Sequence, residues 1–221
     1  MGKISAFTLR RVYLLYLLGR FQRGAYGLKR VHKVAYIAER ESKAIRPFEF
    51  KRYHFGQYSE SLDDIKDQLQ SMGFVAALPL DTAWTLKIED EDYTLGGNRF
   101  IVTDQSEMEF YRRVLAAVSE DLPRTIDDAV NRYGYLTERR LMELCYAFPE
   151  FQGLGQGEVI FESNAPDQIE IDLSDDECDD LELSLRPELV VQMLRLTEVL
   201  ERTDIDWDKV THVERLPLSG T

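Results

Sequence analysis

The sequence predicts an α+β fold: a helix-rich core with a small antiparallel sheet, followed by an acidic C-terminal extension that ends in a helix. Three observations predict it. Apolar residues recur at steps of three and four over several long stretches, short alternating stretches lie between about Phe74 and Thr103, and the composition turns acidic after Glu150. With 221 residues, 44% of them hydrophobic and including 11 Phe and 11 Tyr, the chain has the material for a sizeable core.

The first helix is expected near Thr8 to Arg20, where Phe7, Leu9 and Val12 to Leu18 leave almost no polar face, so it belongs at the centre of the core. Gly19, Gly24 and Gly27 punctuate the turn into a second helix, about Leu28 to Ser42. There Leu28, Val31, Ala35 and Ile37 are expected to face inward and Lys29, Arg30, Lys33 and Arg40 outward. Two readings of those cations stay open, a helix-turn-helix surface for nucleic acid and an ordinary solvated face.

From Pro47 to Val75 the chain reads as strand, sharp turn, helix and strand. Phe48, Phe50, Tyr53 and Phe55 form an extended aromatic run, and Gly56 lets the backbone turn. Ser59 or Ser61 caps the following helix, with Ser61 and Asp64 fitting a capping box. Leu62, Ile65, Leu69 and Met72 form one apolar stripe, and Gly73 stands at the left-handed C-terminal position.

Phe74 to Leu80 and Trp84 to Ile88 read as strands. Gly96-Gly97-Asn98 signals a hairpin, followed by a strand from Arg99 to Thr103. Thr103 or Asp104 caps a helix reaching about Glu120. Pro123 and Thr125 open another to about Tyr133, and Thr137 caps a third that ends before Pro149. Helices followed by a small antiparallel sheet with an exposed loop give the order of a winged helix. Beyond it, Val159 to Phe161 and Ile169 to Leu173 read as strands, Asp175 to Asp180 as a loop, and Pro187 to about Arg202 as a final amphipathic helix.

Two blocks carry a resemblance. Gly56, Gln57, Tyr58, Ser59, Leu62, Leu69, Gly73 and Val75, with Phe55 before them, resemble a conserved-looking segment of the family that includes YwgA-like bacterial proteins and Panacea-domain (SocA-like) antitoxins. Arg132 to Phe151, with Tyr146 and Pro149 in place, is similar to a later segment of the same proteins. The resemblance covers about residues 5 to 151, so that 1–151 is expected to be one winged-helix-like domain and 152–221 an acidic extension. Gln57 stands where the family usually has Pro. The resemblance implies a non-enzymatic module of the antitoxin or regulatory kind, acting on a protein partner such as a toxin.

The net charge of −13 conceals an asymmetry. Residues 1–54 carry 13 Lys and Arg against Glu39, Glu41 and Glu49, a net +10, while residues 55–221 carry 14 basic against 37 acidic side chains, a net −23. On the nucleic-acid reading, Arg30, Lys33, Lys51, Arg52, His54 and Tyr58 are the candidate contacts, and the acidic tail competes for them. On the protein-partner reading, Asp175, Asp176, Glu177, Asp179 and Asp180 face a basic partner, and the final helix offers a protein-contact or dimer surface.

Catalytic and metal signals are thin. His32, His54 and His212 stand apart from Cys145 and Cys178, so no zinc spacing, nucleophile elbow or phosphate loop is present. No enzyme activity, metal or cofactor is expected. The longest apolar run, Val12 to Leu18, is too short for a membrane span, and a soluble cytoplasmic protein is the expectation.

Overall fold

A strand, β1 (Gly2–Ser5), runs directly into the helix α1 (Ala6–Arg20), whose first turn is capped by the Ser5 hydroxyl accepting from the Thr8 amide. The computed structural model describes residues 1–43, 45–54, 56–79, 84–88, 91–95 and 97–185, with 84–88 and 91–95 described for their backbone alone. Every side chain of α1 from Val12 to Leu18 is buried, as its lack of a polar face demands. The short strand β2 (Ala25–Tyr26) follows, and then α2 (Leu28–Glu41).

Next come β3 (Phe50–Tyr53) and β4 (Gly56–Tyr58), paired as an antiparallel hairpin, and the helix α3 (Glu60–Ser71). The Ser59 hydroxyl caps α3 by accepting from the Leu62 amide. Ser61 instead meets Ser59 through its hydroxyl at 3.2 Å, and Asp64 is exposed, so the capping box expected at Ser61 does not form. Leu62, Ile65, Leu69 and Met72 enter the core, and Gly73 turns the chain at φ 81°.

The strands β5 (Val75–Pro79), β6 (Trp84–Ile88), β7 (Glu91–Leu95) and β8 (Asn98–Val102) follow, in two antiparallel sheets. The expected Gly96-Gly97-Asn98 hairpin is corrected by the pairing. β8 pairs with β5, from Val75↔Val102 to Pro79↔Asn98, and β7 pairs with β6, from Trp84↔Leu95 to Ile88↔Glu91. The glycines therefore separate two strands on the same returning arm, and only residues 89 and 90 separate the paired strands β6 and β7. A turn signal in sequence is local, whereas strand register is set by the whole ladder. Since β2 pairs along the other edge of β8, the sheet order is β2-β8-β5.

Three helices follow: α4 (Met108–Val118), α5 (Asp121–Tyr133) and α6 (Glu138–Tyr146). Thr137 caps α6 as expected. Thr103 instead donates its hydroxyl to the Gly73 carbonyl at 2.7 Å, and Asp104 accepts from the Ser106 amide, so neither caps α4. A 3-10 turn (Pro149–Phe151) leads to β9 (Val159–Phe161), β10 (Gln168–Ile171) and α7 (Asp175–Ser184).

The segment Asp175 to Asp180, expected as a loop, lies within α7. Ser174 and Glu177 form a reciprocal capping box, and acids in the first turn suit the positive end of a helix. Cys178, Leu181 and Leu185, at steps of three and four, are its buried stripe, hidden in sequence by the acids around them. β9 pairs with β3, β10 pairs with β1, and α7 packs on β1, so residues 159–185 share one hydrophobic core with α1. The Glu182 carboxylate accepts from the Ser5 amide at 2.6 Å, and Lys3 pairs with Glu170 at 3.2 Å.

α2 lies at the centre, covered by α5, α6 and β4, with every residue from Val31 to Glu39 buried. The outward placement expected for Lys33 is corrected, since its side chain is only 1% exposed. The architecture is α+β. The final helix predicted at Pro187–Arg202, and any dimer contact through it, lie outside the described residues. Among the described residues no helix is long and apolar enough to cross a membrane.

Candidate functional site

The β3–β4 hairpin and the start of α3 bring together several residues singled out in the sequence. The Ser59 amide donates to His32 Nδ1 at 3.2 Å, which leaves the His32 hydrogen on Nε2, directed at Asp63 Oδ1 at 2.9 Å. Tyr58 also donates to Asp63, and the Tyr58 and His32 rings lie 4.9 Å apart. Burial alone would raise the Asp63 carboxyl, but the bonds from His32 and Tyr58, with Lys66 nearby, hold it below the usual aspartate range. Burial and then Asp63 push the Tyr58 phenol up to about 12. This network locks the hairpin to the helix. The imidazole nitrogen that would take a nucleophile's proton is already occupied by a backbone amide.

The other candidate contacts are each engaged within the chain. Arg30 donates to the carbonyls of Tyr26, Gly134 and Leu136, the last at 2.6 Å, and thus holds the α5–α6 connection to α2. Lys33 lies behind Gly56, beside Cys145, and burial lowers its pKa. Lys51 pairs with Glu49 at 2.9 Å. The Arg52 guanidinium donates to the Leu154 carbonyl and stacks 4.8 Å from the Phe151 ring centre. His54 meets Gln156 at 2.7 Å.

Carboxylates, by contrast, dominate two exposed faces. Glu60, Asp64 and Asp67 stand at steps of four and three on the solvent side of α3. On α7, Asp175, Asp176, Asp179 and Asp180 are exposed, while Glu177 pairs with Arg113 at 2.8 Å. Its bonds from Ser174 and then Arg113 hold the Glu177 carboxyl low. The two faces sit on separate elements, α3 in the half of the fold that carries β2-β8-β5 and α7 against β1.

Several polar side chains tie elements together through contacts that the sequence did not signal. Gln57, at the position where the resembled family has Pro, donates its amide to the Cys145 carbonyl at 2.9 Å, a bond between β4 and α6. Tyr36 and Arg40 both bond Glu150, fastening α2 to the 3-10 turn. Glu39 is fully buried and accepts from the Phe48 amide at 3.3 Å. Its second oxygen has no partner among the described residues. Burial raises its carboxyl pKa well above the usual range, against smaller effects of the Phe48 amide, Arg46 and Arg10. Burial also pushes the Cys145 thiol up to about 12, which suppresses its reactivity.

Among the described residues no group of three or more His, Cys, Asp or Glu is arranged to hold a metal ion. No protein-family model matches the chain, and no curated protein matches it.

Proposed function

We propose that this chain is a non-enzymatic, cytoplasmic protein-interaction module of the regulatory or antitoxin kind, built on a winged-helix arrangement and binding a basic partner protein. The order α1, β2, α2, α3, β5 and β8, with β2-β8-β5 as its sheet, supports the winged-helix reading. On that reading α3, just before β5, occupies the place of a recognition helix. The observation that carries the proposal is the charge of that helix. It turns Glu60, Asp64 and Asp67 to solvent, Asp67 beside Lys66, while Arg30 and Lys51 are bonded within the chain. A duplex presents about one negative charge per 1.7 Å and is repelled by such a face. A Lys- and Arg-rich surface is attracted. The resemblance to Panacea-type and YwgA-like proteins supports the same reading and suggests a toxin or regulatory target as the partner.

The test is fluorescence anisotropy of the full chain with two probes over a salt series, a 20-base-pair duplex and an Arg/Lys-rich peptide. The peptide binds, binding weakens with salt, and Glu60→Gln with Asp64→Asn and Asp67→Asn removes most of it. Steeply salt-dependent duplex binding would overturn the proposal in favour of a nucleic-acid regulator.

A further inference from the structure

The end of β3 and the corner after α6 enclose a cleft of ≈ 380 Å³. Tyr53 lines it from the end of β3 and His54 from the turn after it, Tyr146 from α6, and Phe151 and Gly153 from the 3-10 turn and the loop beyond it. Arg52 lines it too, its guanidinium stacked on Phe151, and the Tyr146 and Phe151 rings are 5.1 Å apart. The Tyr53 ring is 4.9 Å from His54 and 5.3 Å from Tyr58, and its side of the cleft is open, with Tyr53 49% exposed. The cleft therefore offers exposed ring faces together with a guanidinium and an imidazole.

Its charge is out of keeping with the rest of the protein. The chain carries a net −13, and two other clefts of similar size are lined by more acids than bases, Glu49, Glu60, Asp64 and Glu162 against Arg10 and Lys51 in one, and Glu120, Asp127 and Asp128 against Arg112 and Arg124 in the other. No carboxylate among the described residues lines this one. The two acids of the adjoining segment are bonded elsewhere, Glu150 to Arg40 and Tyr36, and Glu158 to the Gly155 amide at 2.7 Å. The buried Lys33 side chain stands behind the wall without lining the cleft, since a side chain built at Gly56 would meet Tyr146 at 3.3 Å and Lys33 Nζ at 3.4 Å.

The cleft is also held in shape before any ligand arrives. The Arg52 amide donates to the Glu158 carbonyl at 2.8 Å, and the Gly157 amide donates to the Arg52 carbonyl at 2.7 Å. With the bond from the Arg52 side chain to the Leu154 carbonyl, the loop 152–158 is fastened to β3 on both sides of the guanidinium. A preformed site of this size, near the lower end of the range for small-molecule pockets, accommodates one ring system with its anionic group.

We propose that this cleft binds a single aromatic base bearing a phosphate, either as a free mononucleotide or as one unstacked nucleotide of a single strand. The base stacks against Tyr53 and Tyr146, and the phosphate lies against Arg52 and His54. Stacking on aromatic side chains tolerates any base, because every base has a π-face, so selectivity falls on the anion and on ring size. A paired duplex keeps its bases inside the helix and does not fit. The proposal goes beyond the protein-partner reading and stands apart from it, because the acidic residues of α3 do not line this cleft.

The experiment is fluorescence anisotropy of N-methylanthraniloyl-AMP with the full chain, displaced by unlabelled AMP, adenosine or inorganic phosphate. A parallel arm uses a fluorescein-labelled single-stranded dodecamer. We expect saturable binding with a dissociation constant on the order of 10–100 μM, the range open to a ligand of about two dozen non-hydrogen atoms. AMP displaces the probe about tenfold better than adenosine or phosphate, each of which carries one of the two recognised groups. Tyr53→Ala, an exposed position where folding is preserved, weakens binding about tenfold, as loss of one stacking partner does. Arg52→Gln weakens AMP by a larger factor than it weakens adenosine, because the loss of the phosphate contact adds to any loosening of the loop. If the dodecamer binds through Tyr53 more tightly than AMP does, the nucleotide comes from a strand; the reverse order assigns a free mononucleotide. Absence of saturable binding by either probe would overturn the proposal, as would binding that Tyr53→Ala and Arg52→Gln both leave untouched.

Discussion

Replacing Glu39 by Gln should make the protein more stable as the pH rises, although it removes a charged residue type from the centre of the fold. Glu39 is fully buried near the end of α2, with one oxygen on the Phe48 amide and the other without a partner among the described residues. Burial raises its pKa well above the ordinary carboxylate range, so the folded protein retains a proton that the unfolded chain releases. An acid shifted in that direction contributes stability at low pH and loses it as the pH climbs past the ordinary carboxyl range. The slope is about 1.4 kcal/mol per pH unit for as long as the folded form stays protonated. Glutamine has the shape of the protonated acid, keeps an acceptor for Phe48, and does not titrate. Between pH 5.5 and 6.5 the variant should therefore gain about 1.4 kcal/mol on the parent, or roughly 3–6 °C in melting temperature for a chain of this size. Other carboxyls, such as Asp63 and Glu150, cancel in the difference between the two proteins. The assay is thermal melting by circular dichroism at half-unit pH steps. Curves that stay parallel across that window would show that Glu39 is ionised in the fold and refute the reasoning.

Three further outcomes are expected. Asp63→Asn should cost about 2 kcal/mol in urea unfolding at pH 7, since it weakens charge-assisted bonds from His32 and Tyr58. The folded pKa of Asp63 is depressed, so its contribution is present above about pH 4, and the cost should shrink as the pH falls below that; a cost constant with pH contradicts the network. Gly56→Ala should cost about 1–3 kcal/mol, because φ is 102° there and the new methyl meets Tyr146 at 3.3 Å; an unchanged denaturation midpoint would show the turn to be unstrained. A chain stopped at Phe151 should lose cooperative unfolding and bind a hydrophobic dye, since Ile169, Ile171, Cys178, Leu181 and Leu185 all leave the shared core; a sharp melting transition would mean that residues 1–151 fold alone.

What the sequence made legible was local. The unbroken apolar run of α1, the stripe of α3 with Ser59 before it and Gly73 after it, and the Thr137 cap of α6 each lie within a few residues of what they specify. Lys33 was placed outward because a lysine on a helix with other cations belongs in water. The helices that cover α2, namely α5 and α6, begin at Asp121 and Glu138, and nothing in the sequence around Lys33 announces that they pack over it. The same distance explains Arg30, whose acceptors are carbonyls at 134 and 136. α7 was hidden for another reason, since its buried Cys178, Leu181 and Leu185 are outnumbered by acids that belong to its exposed side and its first turn. At the candidate site, Arg52, His54 and Tyr58 were singled out by charge and by the aromatic run. Tyr146, which shares the proposed cleft with Arg52 and His54, was legible only through the second block of the resemblance.

The pairing of β1 with β10 sets a timetable for folding. Ser5 meets Gln168, and Ile4 meets Ile169, across more than 160 intervening residues. During synthesis the most apolar helix of the protein, α1, must wait for α4 and α5 before its far side can be covered, and the strand ahead of it stays unpaired until the acidic segment has emerged. Contacts of such separation close late, because the loop they define must be ordered first. A nascent chain halted before residue 168 would keep a free strand edge at β1, a feature that seeds aggregates. Among the described residues, the segment of β10 and α7 thus brings both solubilising charge and the last piece of the core.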